Sequence, residues 1–528
     1  MAYVITQNCC KDASCVPVCP VDCIRPAEGG LDSASAEMLY IDPESCIDCG
    51  ACYEECPVGA IYYDEDLPGE LQRFKDLNAA YFERHPLEPV TVPAPTSRAV
   101  VEAGSLRVAI VGSGPAACYA AAELIDVDGV EINLFERLPT PFGLIRAGVA
   151  PDHQHTKSVV DIFERVFTSP RFAGHFNVEV GRTINHDELL AHHHAVIYAV
   201  GAATSRRLGI DGEDLLGHHA AAEFVGWYNG HPDHAAHQFD LSGERAVIVG
   251  NGNVALDVAR VLLMDRAALE ATDIAQHALD ALADSAIREV VILARRGIGH
   301  AAFSAGEFLA LGHLDGVDVI VDPQDLPADD EYDDVETSFK LAVAREYAQR
   351  SPTPGNRRVV FRFGTTPVAI HGTDRAGGLE VGSDVRGTEV IETSLILRSI
   401  GYRGLPVSGL PYDDDSGTVP NDSGRVVPGT YVTGWIKRGP SGVIGTNRLC
   451  AEQTVAQLWA DVDAGLLARE VEGRESLDAL LAARGAEPLG WPGWRAIDAA
   501  ERDRGVQAAR PRVKFVSVEE MLSAGLRG

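Results

Sequence analysis

Nine of the eleven cysteines in this 528-residue chain lie between Cys9 and Cys56, and this crowding constrains the N-terminal segment more than any other feature. Only Cys118 and Cys450 stand elsewhere. The first residues lack the basic start and small-residue cleavage site of a secretion signal, so disulfides explain the cluster poorly and metal ligation explains it better. The cysteines fall into two unequal halves. Cys46, Cys49, Cys52 and Cys56-Pro57 read C-x2-C-x2-C-x3-C-P, whereas Cys9, Cys15, Cys19-Pro20 and Cys23 keep the C-x3-C-P end but place five residues between Cys9 and Cys15. Zinc sites prefer paired C-x2-C knuckles, and two halves that each end in Cys-Pro do not supply them.

The C-x2-C-x2-C-x3-C-P spacing resembles that of bacterial two-cluster ferredoxins, in which three thiolates wrap one cluster and the fourth reaches the neighbouring one. The altered first half resembles the seven-iron members of that group. On this resemblance Cys9, Cys15 and Cys56 hold a [3Fe-4S] cluster, and Cys19, Cys46, Cys49 and Cys52 hold a [4Fe-4S] cluster. Cys10 and Cys23 are left over. The short interval after Cys9 leaves open whether Cys9 or Cys10 is the outer ligand, and whether Cys10 completes a second [4Fe-4S] cluster instead. Short alternating strands near Val4 and Ile5, and near Tyr40 and Ile41, suit the small two-fold α+β ferredoxin fold. Residues 1–70 carry 14 acidic and two basic residues, so a one-electron partner would present positive charge.

The whole chain has a formal net charge of −32, which argues against sequence-blind binding to nucleic acid or an anionic membrane surface. No apolar run is long enough to cross a bilayer, so membrane insertion is not expected and a cytoplasmic location is the default expectation. The length leads us to expect about three domains.

Residues 64–104 are rich in Pro, Glu and Ala, with Pro86, Pro89, Pro93 and Pro95, and read as a stiff linker. From Leu106 an apolar strand runs into Gly112-x-Gly114-x-x-Ala117 and an alanine-rich helix. The glycines allow a tight turn and close approach to a pyrophosphate, whose charge the helix N-terminus receives. A second strand, Val130 to Phe135, ends in Glu136, 22 residues beyond Gly114, where a carboxylate can accept from a ribose. A second copy begins at Ala246 and leads into Gly250-Asn251-Gly252-Asn253-Val254-Ala255. Its following strand, Val290 to Ala294, ends in Arg295 and Arg296. Two guanidinium groups there can grip the 2′-phosphate that separates NADP from NAD. The interval of 43 residues from Gly252 to Arg295 requires extra helix, expected over Val254 to Asp265 and again from Asp273 to Ser285. The run His192-His193-His194 is assigned to structure or to a solvated rim, because adjacent residues do not converge readily on one ion.

One nucleotide fold suited to FAD and one suited to NADP describe a flavoprotein reductase. The segments Pro139–His153, GNGNVALD from Gly250, and Gly434–Asn447 look like the adrenodoxin-reductase type of ferredoxin:NADP reductase. With the cysteine segment, the chain is similar over nearly its full length to mycobacterial-type ferredoxin/ferredoxin:NADP reductase fusions. The implied fold is multidomain: an α+β ferredoxin unit followed by an α/β reductase with two dinucleotide-binding domains. The expected division is 1–68 iron-sulfur, 69–104 linker, 105–210 and 406–470 FAD-binding, 211–405 NADP-binding, and 471–528 helical extension. The resemblance implies FAD contacts at Gly112, Gly114, Ala117, Glu136, Leu144, Ile184, Trp435, Gly442, Val443 and Ile444. It implies NADP contacts at Asn251, Gly252, Asn253, Val254, Arg295, Arg296, Glu307 and Gly442. His153, the expected catalytic residue, is expected beside flavin and nicotinamide, orienting the ring or tuning the flavin and not acting as an acid. The family often pairs this His with a carboxylate at the position of Ala310, which this chain lacks. The implied activity is ferredoxin:NADP(+) oxidoreduction, with NADPH and a ferredoxin-type carrier as partners. The alternatives are a glutamate-synthase small-subunit-like reductase and a non-enzymatic electron carrier or redox sensor.

Overall fold

The computed structural model describes residues 2–26, 38–87, 98, 100–328, 332 and 334–526. Tyr3–Ile5 pairs antiparallel with Ile61–Tyr63, and Ile24–Arg25 pairs antiparallel with Tyr40–Ile41, giving two short ribbons that enclose the cysteines. Their apolar core is small: Val4, Ile5, Ile24, Tyr40, Ile41 and Ile61, with Cys15, Cys23 and Cys52 completing it. A unit of this size needs help from bound metal or from neighbouring structure.

Part of that help comes from a segment that composition marks as linker. Arg73–Arg84 is an α-helix whose Phe74 and Leu77 are buried, and whose Tyr81 stacks on Tyr40 with ring centroids 4.2 Å apart. Asn78 is the pin: its Oδ1 accepts from Ile5 N (3.4 Å) and Ile41 N (2.9 Å), and its Nδ2 donates to Ile5 O and Phe74 O. The linker expectation for residues 69–104 therefore fails over this helix. Proline and charge dominate the composition there, while the Phe74, Leu77 and Tyr81 spacing buries one helix face. Of the prolines expected to stiffen the linker, Pro89, Pro93 and Pro95 lie outside the described residues.

The first nucleotide domain is a six-stranded sheet in the order Arg425–Val427, Thr430–Val432, Ala195–Tyr198, Leu106–Val111, Val130–Glu136, Phe172–Phe176. Thr430–Val432 runs parallel to Ala195–Tyr198, so the chain leaves this sheet, builds another, and returns. The second sheet is parallel throughout: His218–Ala220, Leu395–Arg398, Arg245–Val249, Glu289–Leu293, Arg357–Arg362, Val317–Val321. Glu289–Leu293 is buried along its length, as a strand covered on both faces must be. The two crossing segments, Thr204–Ser205 and Tyr402–Arg403, pair antiparallel. Helices Arg266–Glu270 and Gln276–Ala283 fill the long interval before Arg295.

The last helices, Trp491–Gln507 and Val518–Gly525, are anchored by buried charge. Glu501 is fully buried and binds Arg146 at 2.5 Å and Arg512 at 3.1 Å. Asp273 lies between Lys157 (2.6 Å) and Lys514 (2.9 Å). These pairs tie the C-terminal segment to the loop that carries His153.

Candidate functional site

Cys19, Cys46, Cys49 and Cys52 line one small cavity together with Cys23, Tyr3, Ile24 and Ile41. Cys19 Sγ lies 3.5 Å from Cys23 Sγ and accepts from Cys23 N. Burial pushes the Cys52 thiol up to about 12, and the neighbouring Cys46, Cys19 and Cys49 push in the same direction. Burial likewise raises Cys9 to about 11, with Cys56 contributing, and raises Cys15, with Cys9 and Cys56 contributing. Thiols that mutually oppose ionisation in a buried space fit a site where bound cations stabilise the thiolates. Cys19, Cys46, Cys49 and Cys52 thus share one space with Cys23, and Cys9 and Cys56 act on both Cys15 and Cys10, while Cys52 also acts on Cys15. Ala60 N donates to Cys56 Sγ at 3.2 Å. Cys10 lies in the same surroundings as Cys9 and Cys56: its thiol is 3.9 Å from Asp12 Oδ1 and is buried in a cluster that includes Tyr119 and against which Cys9 and Cys56 pack.

In the first sheet, Gly112 has φ +98°, and a Cβ there would stand 2.5 Å from Ala199 O. Gly114 caps helix Pro115–Ile125 with nothing within 4 Å of the place a Cβ would occupy, while Ala117 is fully buried behind it. This is an open backbone cradle at a helix N-terminus, the shape a pyrophosphate requires. Glu136 does not project freely, since its carboxylate accepts from Ser113 N (3.1 Å), Ser113 Oγ (2.6 Å) and Leu138 N (3.0 Å). Leu144 begins a short helical turn and is 44% exposed, unusual for an aliphatic side chain beside such a loop. A Cβ on Gly434 would lie 2.6 Å from Ala116 Cβ, so the turn carrying Trp435 is brought against the start of the same helix. Trp435 Nε1 donates to Ser441 O (3.2 Å), and its ring lies 5.4 Å from that of Tyr402. Gly442 is exposed, with Val443 and Ile444 half-buried beside it.

In the second sheet, a Cβ on Gly250 would lie 2.1 Å from Ser399 O, while Gly252 caps helix Asn253–Leu263 with open space at its Cβ position. Asn251 and Val254 are half-buried on either side. Asn253 Oδ1 accepts from Ser304 N at 2.7 Å. Arg295 and Arg296 are exposed directly after strand Glu289–Leu293, and among the described residues neither guanidinium has an acidic partner. A different cleft, about 720 Å³, is lined by Arg245, Arg288, Glu289 and Arg358. It sits at the opposite ends of these parallel strands, and nucleotides bind beyond the carboxyl ends.

The two domains meet at Arg260. Its guanidinium binds Asp152 (2.6 Å), Asp257 (2.6 Å) and Glu307 (3.0 Å), and donates to His153 Nε2 at 2.7 Å. Guanidinium only donates, so His153 Nε2 accepts and the ring proton resides on Nδ1. Glu307 Oε1 stands 3.7 Å from the same nitrogen. His153, Asp257 and Glu307 have ligand atoms within 4.8 Å of one another, the spacing of a metal site, yet Arg260 already supplies the positive charge. Burial raises the Asp257 carboxyl above its ordinary range despite Arg260. Partial burial pushes the half-buried Asp152 the same way, but Arg260 and His153 hold its carboxyl below that range.

A family profile described as "4Fe-4S binding domain" matches residues 39–62, and one described as "Pyridine nucleotide-disulphide oxidoreductase" matches residues 106–300. The "Probable ferredoxin/ferredoxin–NADP reductase" of Mycobacterium tuberculosis is 49% identical, covering 99% of this chain and 95% of its own length. Its Mycobacterium leprae counterpart is 47% identical, covering 99% and 98%. The chain belongs to the ferredoxin/ferredoxin–NADP reductase family. Among solved structures, M. tuberculosis FprA in complex with NADPH is 45% identical with TM-score 0.76, covering 80% of this chain and 99% of that one.

Within this chain the helix-capped glycine loops fit two dinucleotides, and the gathered cysteines fit iron-sulfur ligation. Ile184 fits less simply. Its side chain is buried with Val178 and Leu189, and its carbonyl accepts from Gly181 N, which leaves only the main chain for a cofactor contact. The three histidines are structural: His193 binds Asn133 and Leu189 O, His194 accepts from Arg107 N, and His192 is buried. Sequence reading missed Arg260, Asp152 and Asp257. The Asp257/Arg260 spacing places both on one face of the second glycine-loop helix, a signal that was available. It also missed Ser113, Tyr402 and Arg448, whose partners Glu136, Trp435 and Asp12 lie elsewhere in the chain.

Proposed function

We propose that this chain is a ferredoxin:NADP(+) oxidoreductase that moves electrons between NADPH and its own iron-sulfur unit. The observation that carries this reading is the seat of the cysteine unit: Gly445, directly after the Gly442–Ile444 loop, donates its N–H to Cys10 O at 2.8 Å. A one-electron module is thus locked onto the loop expected to line the flavin. The relatives' names support the reading, and the FprA neighbour was solved with NADPH.

Arg295 and Arg296 would take the 2′-phosphate of NADP, and Asn251–Val254 with the helix N-terminus at Gly252 would receive its pyrophosphate. Glu307, shared with Arg260, would border the nicotinamide. Gly112, Gly114 and Ala117 would cradle the FAD pyrophosphate, Leu144 and Trp435 would flank it, and Val443 and Ile444 would border its ring. Glu136 reaches a ribose by exchanging its bond to Ser113. His153, fixed by Arg260 as an acceptor at Nε2, orients the reacting rings. Bound FAD would convert the paired electrons of a hydride into single electrons for the iron-sulfur sites. Cys9, Cys15 and Cys56 would hold a [3Fe-4S] cluster, while Cys19, Cys46, Cys49 and Cys52 would hold a [4Fe-4S] cluster. Cys10, buried in the cluster against which Cys9 and Cys56 pack, is the alternative outer ligand. The division of labour follows 1–68 for the clusters, 105–210 with 406–470 for FAD, 211–405 for NADP, and 471–528 as a brace.

Anaerobic quantitation of iron, sulfide and flavin, joined to electron paramagnetic resonance, tests this reading. It expects one FAD and about seven irons per chain. Zinc with little sulfide would defeat the cluster assignment, and eight irons would replace the [3Fe-4S] site by a second [4Fe-4S] site.

A further inference from the structure

The two cysteine sets face different surroundings. On the inner side, Cys9 and Cys56 pack on a core that contains Ala116, Ala117 and Tyr119 and is lined by Ile444. A Cβ on Gly445 would lie 2.0 Å from Lys11 O, so loop and cysteine unit meet backbone to backbone. Arg448 Nη1 donates to Asp12 O at 2.9 Å, and Ser158 Oγ donates to Pro57 O at 2.8 Å. The segment after His153 and the segment after Gly442 therefore both hold the Cys9/Cys56 side of the unit. An external carrier cannot reach this edge of the loop without displacing the fused unit.

On the outer side the pattern reverses. Among the described residues, no hydrogen bond or ion pair joins residues 43–55 to anything beyond the ferredoxin unit and its helix. Cys49 is exposed, Ile47 is 59% exposed and Tyr53 56%, and Val21 adds to the same apolar face. Glu44, Glu54 and Glu55 are exposed around it. An apolar centre with a charged rim is the anatomy of a transient protein interface, and the rim sets the sign of the partner.

We propose that electrons pass from the flavin site to the Cys9/Cys15/Cys56 side, then to the Cys19/Cys46/Cys49/Cys52 side, and leave through the face around Cys49 to a one-electron acceptor protein with a basic rim. This order rests on the cluster assignment made above. NADPH gives up a hydride, two electrons and one proton. The electrons cross the two cysteine sets singly, the proton goes to solvent, and two acceptor molecules are each reduced by one electron. The two sets act in series because Cys9 and Cys56 pack on the reductase core, whereas Cys49 of the other set is, among the described residues, the one exposed cysteine.

The first test uses the intact holoprotein. A neutral gadolinium chelate in frozen solution should accelerate relaxation of the [4Fe-4S] resonance and leave the [3Fe-4S] resonance nearly untouched; equal or opposite effects overturn the order. In freeze-quenched samples, Cys15→Ala should slow NADPH reduction of the outer cluster about tenfold or more while flavin reduction keeps its rate. Outer-cluster reduction at the original rate overturns the relay. The exit face is tested with cytochrome c, a basic haem protein. Glu44→Lys with Glu54→Lys should raise its KM roughly fivefold at low salt, with the difference fading at high salt and NADPH reduction of both clusters unchanged. An unchanged KM overturns the exit face. A chain without iron and sulfide would refute the cluster assignment itself, a result distinct from a wrong order between clusters that are present.

Discussion

Replacing Arg295 and Arg296 with Gln should convert the nucleotide preference without unsettling the fold. Both side chains are exposed at the end of strand Glu289–Leu293, with no acidic partner among the described residues, so their removal breaks no ion pair and opens no cavity. Exposed substitutions of this kind change stability by about 0.5 kcal/mol or less, and the melting temperature should hold. What disappears is contact to a 2′-phosphate. A hydrogen bond to a charged group contributes about 1.5–3 kcal/mol, and solvent exposure argues for the lower end. Two such contacts give about 3 kcal/mol, which is roughly a hundredfold in kcat/KM for NADPH. NADH carries no 2′-phosphate and should change little. The assay is ferricyanide reduction with each nucleotide at one ionic strength, since screening would blur the comparison. Equal losses for NADPH and NADH would refute the phosphate-binding role, and a large loss of thermal stability would refute the premise that the two guanidiniums are free.

Asp273→Asn should destabilise the fold by about 3–5 kcal/mol, because it leaves Lys157 and Lys514 buried beside each other without their counter-ion. In the unsubstituted chain the two lysines hold the Asp273 carboxyl far below its ordinary value despite burial, so its contribution is present above the unfolded pKa and is lost only as pH falls below it. The variant reverses the trend: buried lysines bind fewer protons folded than unfolded, so its stability should rise with pH between neutrality and about 10, read from urea midpoints. A flat profile would refute the brace. Asn78→Ala should leave the Ile5 and Ile41 N–H groups and the Ile5 carbonyl without this partner and cost several kcal/mol, at about 1–3 kcal/mol for each orphaned group, while Phe74 O keeps its helical bond. Iron should be lost to a chelator faster while FAD is retained, and unchanged iron loss would show that the helix does not support the cysteine unit.

The chain's local chemistry was legible without coordinates. Cysteine spacing, two glycine loops after apolar strands, and the arginine pair after the second nucleotide strand each depend on residues within a few positions of one another. One turn or one helix terminus realises them wherever the segment folds. The same locality explains the failure at Arg73–Arg84, where composition indicated a linker. Its helical face is stable because Ile5, Tyr40 and Ile41 are there to receive Phe74, Asn78 and Tyr81, and no property of the helix itself announces those partners. Tertiary structure alone decided three further matters. It joined Arg260 to His153 and Asp152 across more than a hundred residues, it closed Lys157, Asp273 and Lys514 into one buried cluster, and it set Cys10 O against Gly445 N. Each is a contact between segments far apart in the chain. Burial makes such contacts strong, since a charge or peptide group removed from water must find its partner in whichever segment packs beside it.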